Sequence, residues 1–88
     1  MTGRLVHQVQ PEYPLLARKT GTQGVVILEA VITRDGMIDP ARVRVISGNV
    51  LLNEAAINAV KQWRYTPTLL NKEPVEILTT ITLRFSFN

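Results

Sequence analysis

The 88-residue sequence contains no cysteine, a single histidine and a single tryptophan. Without cysteine there is no disulfide, no thiolate metal site and no thiol nucleophile, although this does not fix the compartment. His7 has no second imidazole with which to share a metal, so no metal is expected. The only serines are Ser47 and Ser86, and no spacing of carboxylates suggests an acid–base pair. Asp35 and Asp39 read as turn residues, and a calcium loop would need about five oxygen ligands in twelve residues. The chain is therefore expected not to be an enzyme and to need no cofactor. No run of about 18 apolar residues could span a bilayer, and no charged-then-apolar start marks a signal peptide. Blocks of like charge are missing too. The ten cations (Arg4, Arg18, Lys19, Arg34, Arg42, Arg44, Lys61, Arg64, Lys72 and Arg84) are scattered, so a net charge of +3 draws no phosphate track. Nucleic acid is not an expected partner.

What is present is globular. Apolar residues make up 45% and charged residues 19%, and no repeat or internal linker divides the chain. Residues 1–88 are read as one small domain, with 1–9 extended or flexible. A chain of this size buries roughly 60–70% of its unfolded surface, enough for one modest core.

Pro14 opens a short helix through Leu15-Leu16-Ala17-Arg18-Lys19, and Gly21 suits its C-terminal cap. Val25 to Thr33 is rich in β-branched residues and predicts a strand. Asp35-Gly36 predicts a hairpin turn, and Met37 to Ser47 a second strand with an irregular or edge portion at Pro40. Val26, Leu28, Ala30 and Ile32 share one face, joined by Val43 and Val45. After the break at Ser47-Gly48-Asn49, Leu52, Ala56, Ala59, Val60 and Trp63 recur at helical spacing, predicting a helix from about 51 to 64. Asn71-Lys72-Glu73-Pro74 makes a turn. Strict alternation from Val75 to Phe87 then predicts a third strand, twelve or more residues long, with one buried face.

The second helix would carry the chain back so that the third strand lies beside the first and parallel to the second. The fold class is α+β: a three-stranded antiparallel or mixed sheet of order 2-1-3 with two helices on one face. The third strand would then be an edge with unpaired backbone groups. Val25, Ile27, Val31, Ile46 and Leu78 would lie on the uncovered face of the sheet, and a homodimer is one expected outcome of that exposure or of edge pairing.

Gly21-Thr22-Gln23-Gly24 after Arg18-Lys19 matches the GxxG loop of KH-type RNA-binding modules. It leads into a strand, however, and a helix stop with a tight turn is the favoured reading. A longer constellation runs through the chain: Gln10-Pro11-Glu12-Tyr13-Pro14, Ala17-Arg18, Gly24, Asp35-Gly36, Ser47-Gly48, Ala55-Ala56, Ala59-Val60 and Trp63-Arg64-Tyr65 with Pro67. From about Gln8 to Phe87 it resembles the C-terminal domain of the TonB energy-transducer family. At Lys72 the sequence departs from the Gly that many members carry, so Asn71 would have to supply any positive φ. The family's membrane helix and Pro-rich spacer have no counterpart here, so the chain is expected to be part of a longer protein.

The resemblance implies a periplasmic domain of an inner-membrane-anchored protein in a Gram-negative-type envelope. In the family, an ExbB–ExbD-type motor works through the N-terminal part. The C-terminal domain grips the TonB box of outer-membrane transporters as an added strand, coupling proton-motive force to solute uptake such as that of siderophores. Carried over, Val75–Phe85 matches the pairing strand, with Ile77, Thr79, Thr80, Ile81, Thr82, Leu83, Arg84 and Phe85 as partner-binding residues. Gln10 and Pro11 match the segment close to the transporter. Trp63, Tyr65 and Phe85 match family aromatics, with core packing the stronger reading for Trp63 and Phe85. The alternatives are the same fold appended to another envelope protein (a sensor-type membrane peptidase or a TolA-like protein), or a KH-like module.

Overall fold

The computed structural model describes residues 4–87. In chain order its elements are β1 (Leu5–His7), α1 (Leu15–Thr20), β2 (Gly24–Ile32), β3 (Ile38–Ser47), α2 (Val50–Val60), β4 (Arg64–Tyr65), β5 (Thr68–Leu70), β6 (Glu73–Val75) and β7 (Ile77–Phe85). Of residues 1–9, residues 1–3 lie outside the described range, and Leu5–His7 form the short strand β1.

The main sheet has order β3-β2-β7, with both pairings antiparallel. This is the expected 2-1-3 arrangement, with the last strand parallel to β3. Alternation places Val26, Leu28, Ala30 and Ile32 of β2 and Ile81, Leu83 and Phe85 of β7 on one buried face. Ala17 of α1 and Leu52, Ala56 and Val60 of α2 close over that face, with Trp63 beside them. Leu28, Leu52, Val26 and Val60 are the largest fully buried side chains, each contributing roughly 1.5–3 kcal/mol by leaving water.

Local chemistry sets the helix limits. Pro14 precedes α1, and Gly21 ends it at φ 68° with its N–H on the carbonyls of Ala17 and Arg18, a left-handed cap that glycine adopts without steric cost. The GxxG segment thus joins a helix to β2, not helix to helix as in a KH loop. Asn49 caps α2, its side-chain oxygen accepting from the Leu51 N–H at 2.8 Å.

Three boundaries differ from the sequence reading. The second helix stops at Val60, because the N–H groups of Gln62 and Trp63 turn back to Ala59 and Val60. Arg64, expected as the last residue of that helix, and Tyr65 after it form β4 instead: Tyr65 and Arg64 pair with Leu5 and His7 of β1, and the Tyr65 N–H donates to the Gly36 carbonyl at 2.7 Å. The strand expected over 75–87 is β7 alone. Val75 belongs to β6, which pairs with β5 as a small hairpin, and Phe87 lies beyond the strand. At the hairpin tip Asn71 (φ 52°) and Lys72 (φ 69°) are both left-handed, so two residues, not Asn71 alone, supply the positive φ of a two-residue turn.

Candidate functional site

The β7 strand pairs with β2 over nine unbroken positions, from Gly24 opposite Phe85 to Ile32 opposite Ile77. Its other flank has no ladder partner among the described residues. Neighbouring residues of an antiparallel strand direct their N–H and C=O groups to opposite sides. Every second residue of Ile77–Phe85 therefore offers its donor and acceptor to the outside.

The two edges of this sheet are unlike. The β3 edge carries Asp39 and Pro40 near its start, and its pairing with β2 shifts register twice. Proline, charge and bulges are the devices that blunt an edge. In contrast, β7 reads Ile-Leu-Thr-Thr-Ile-Thr-Leu-Arg-Phe, with no proline, no bulge and one charge. One long edge is guarded and the other is open.

The side chains of β7 divide by face. Ile81, Leu83 and Phe85 are buried in the core, Ile77 and Thr79 are half-buried, and Leu78, Thr80, Thr82 and Arg84 are exposed on the opposite face. Val25 and Ile46, also on that face, are exposed, and Ile27 and Val31 are half-buried there. One cross-strand ion pair ties β2 to β3, Glu29 with Arg44 at 2.8 Å, and a second joins Arg42 of β3 to Glu76, the residue between β6 and β7, at 2.7 Å. Arg42 also holds Asp39 at 2.8 Å. Hydrogen bonds from Arg42 keep both the Asp39 and the Glu76 carboxyls below their ordinary titration range, and hold the guanidinium proton above its own.

Gln10 and Pro11 do not join the strand's residues. They lie in an extended arm, residues 8–14, that runs against α2. The Trp63 indole N–H donates to the Val9 carbonyl at 3.0 Å. Tyr13 donates to the Thr22 carbonyl and meets Phe85 edge-on at 5.6 Å and Phe87 in a stack at 4.7 Å. A groove of about 590 Å³ separates arm from helix, lined by Gln10 but by no residue of β7. No sequence pattern marks this groove, and its one indirect signal is that a buried indole N–H needs an acceptor.

Trp63 and Phe85 are 5% and 3% exposed and belong to the hydrophobic core. Tyr65 is half-buried in β4, and burial raises its hydroxyl pKa. No group of three or more metal-ligating side chains converges among the described residues, and no helix there is long and apolar enough to cross a membrane. The arrangement offers main-chain hydrogen bonds along an open edge.

Residues 9–87 match the family described as Gram-negative bacterial TonB protein C-terminal. Protein TonB of Vibrio cholerae serotype O1 is 37% identical over 78 residues, covering 89% of this chain and 32% of that protein. Protein tonB2 of Pseudomonas aeruginosa is 30% identical over 83 residues, covering 94% of this chain and 31% of its own length. The chain thus spans about a third of these relatives. In fold it is similar to the solution NMR structure of the Pseudomonas aeruginosa TonB CTD, with a TM-score of 0.78 at 24% identity over 97% of this chain and 86% of that one.

Proposed function

The chain belongs to the TonB C-terminal family, as a domain of a TonB-type energy transducer, and from that premise we propose that the open edge of β7 receives the TonB box of an outer-membrane transporter. TonB proteins are a non-enzymatic, energy-transducing family, in keeping with the expectation of no enzyme. The incoming segment pairs along Ile77–Phe85 as a fourth strand of the sheet. Affinity comes mainly from main-chain hydrogen bonds, and alternate side chains of the ligand meet either the Thr80–Thr82 row or the flank of Ile77 and Thr79. In the full protein, a membrane helix in the inner membrane and an ExbB–ExbD-type motor would draw on proton-motive force to pull this periplasmic domain and its bound transporter segment.

The observation that carries this reading is the contrast between the guarded β3 edge and the unguarded nine-residue β7 edge. The test is a titration of isotope-labelled chain with a peptide carrying a transporter's TonB box, followed through amide chemical shifts. Shifts concentrated on 77–85 and their β2 partners are expected. Shifts confined to the helices, with the β7 amides silent, would overturn strand addition.

A further inference from the structure

The groove between the arm and α2 is a second concave surface, separate from the β7 edge. Its apolar lining is Val9, Pro14, Val50, Leu51, Ala55 and Ala59, and its polar lining includes the amides of Gln10, Asn58 and Gln62. Val50, at the first turn of α2, is 82% exposed and lies on the groove's lining. The floor follows α2 from Leu51 to Ala59, about 12 Å at 1.5 Å per residue, which matches roughly four residues of extended chain.

Charge decides what kind of chain fits. The charged residues of the groove are Glu12 and Glu54, and no lysine or arginine lines it. Neither carboxylate forms an ion pair among the described residues, whereas Glu29, Asp39 and Glu76 all do. In a chain of net charge +3, the charged side chains that line this groove are acids alone, and charge complementarity favours a cationic partner.

We propose that this groove docks an extended, basic segment of a protein partner, its small apolar side chains on Leu51 and Ala55 and its lysines or arginines against Glu12 and Glu54. Binding here uses side chains and charge, unlike strand addition at β7. The proposal goes beyond the transporter reading and stands without it.

The probe is the peptide acetyl-Ala-Lys-Ala-Lys-Ala-amide, titrated into isotope-labelled chain beside its Glu-for-Lys counterpart. The expected result is amide shifts on 9–14 and 50–62 for the lysine peptide only. Affinity should fall about fivefold for Glu12→Gln or Glu54→Gln singly, and further when both are combined or salt is added. Both residues are exposed, so the variants should keep the parent thermal transition. No shifts up to millimolar peptide would overturn the proposal. So would shifts spread over Glu29, Glu73 and Glu76, or binding unchanged in the double variant. Failure at β7 with a TonB-box peptide would leave this result untouched, so the two readings fall separately.

Discussion

The indole N–H of Trp63 donates to the carbonyl of Val9 at 3.0 Å, joining residues 54 positions apart. The bond fastens the arm to the end of α2 while the ring fills the core. Replacement by phenylalanine keeps most of the packing and loses the donor. Trp63→Phe should therefore cost about 1 kcal/mol and speed amide exchange in the arm, while Trp63→Ala should cost roughly 3–5 kcal/mol. Denaturant melts read alongside hydrogen exchange separate the two effects. Equal losses in both variants would mean that the hydrogen bond contributes nothing.

On β7, donors alternate between β2 and the free edge, so residues two apart fall in the same class. Thr80→Pro and Thr82→Pro should behave alike, and Thr79→Pro should behave oppositely. One class loses a ladder bond and lowers stability; the other blocks the outer edge and abolishes TonB-box peptide binding with a smaller loss of stability. Melting temperature and peptide affinity, measured on all three, expose the pattern. Three variants indistinguishable in both measurements would refute it.

Gly36 and Gly21 both have positive φ, 85° and 68°, but differ in surroundings. A Cβ at Gly36 would come within 2.0 Å of the Tyr65 carbonyl oxygen, whereas one at Gly21 meets nothing within 4 Å. Gly21→Ala should cost about 1 kcal/mol from backbone strain alone. Gly36→Ala should cost several-fold more, because the β2–β3 turn must separate from β4. Comparable melting temperatures for the two variants would contradict this.

Lys72 occupies a left-handed position at φ 69° in the β5–β6 turn. Asn-Gly is the favoured pair for such turns. Lys72→Gly should raise stability by up to about 1 kcal/mol, the relief of strain being partly offset by the greater freedom of the unfolded chain. An unchanged or lowered melting temperature would show that the strain relieved does not exceed the entropic cost of glycine.

Arg42 hydrogen-bonds to both Asp39 and Glu76 and keeps their carboxyls ionised to lower pH than in the unfolded chain. Groups with lowered folded pKa values contribute stability above their unfolded values, about pH 4, and lose it as pH falls through the folded ones. Melting temperature should thus drop more steeply on acidification below about pH 4.5 in the parent than in Arg42→Gln. Parallel curves would show that the pairs are fully screened by solvent.

The three long strands, two helices and sheet order were legible because each rests on a local rule. Alternating apolar residues need one buried face, Gly21 suits a helix end, and a helical crossover from β3 can return the chain beside β2 and parallel to β3. Phe85 and Trp63 could be assigned to the core from periodicity alone. Tertiary structure decided what local rules leave degenerate. Arg64 and Tyr65 continue a helical pattern, yet their backbone is taken by β1 and Gly36, partners more than twenty residues away. Val75 fits the alternation of β7, yet pairs with Thr68 across a turn that needs two left-handed residues. The arm–helix groove arises only when Val9 meets Trp63. Periodicity reports which side of an element is buried, whereas the partner of each backbone group is chosen by long-range competition that no window of sequence contains.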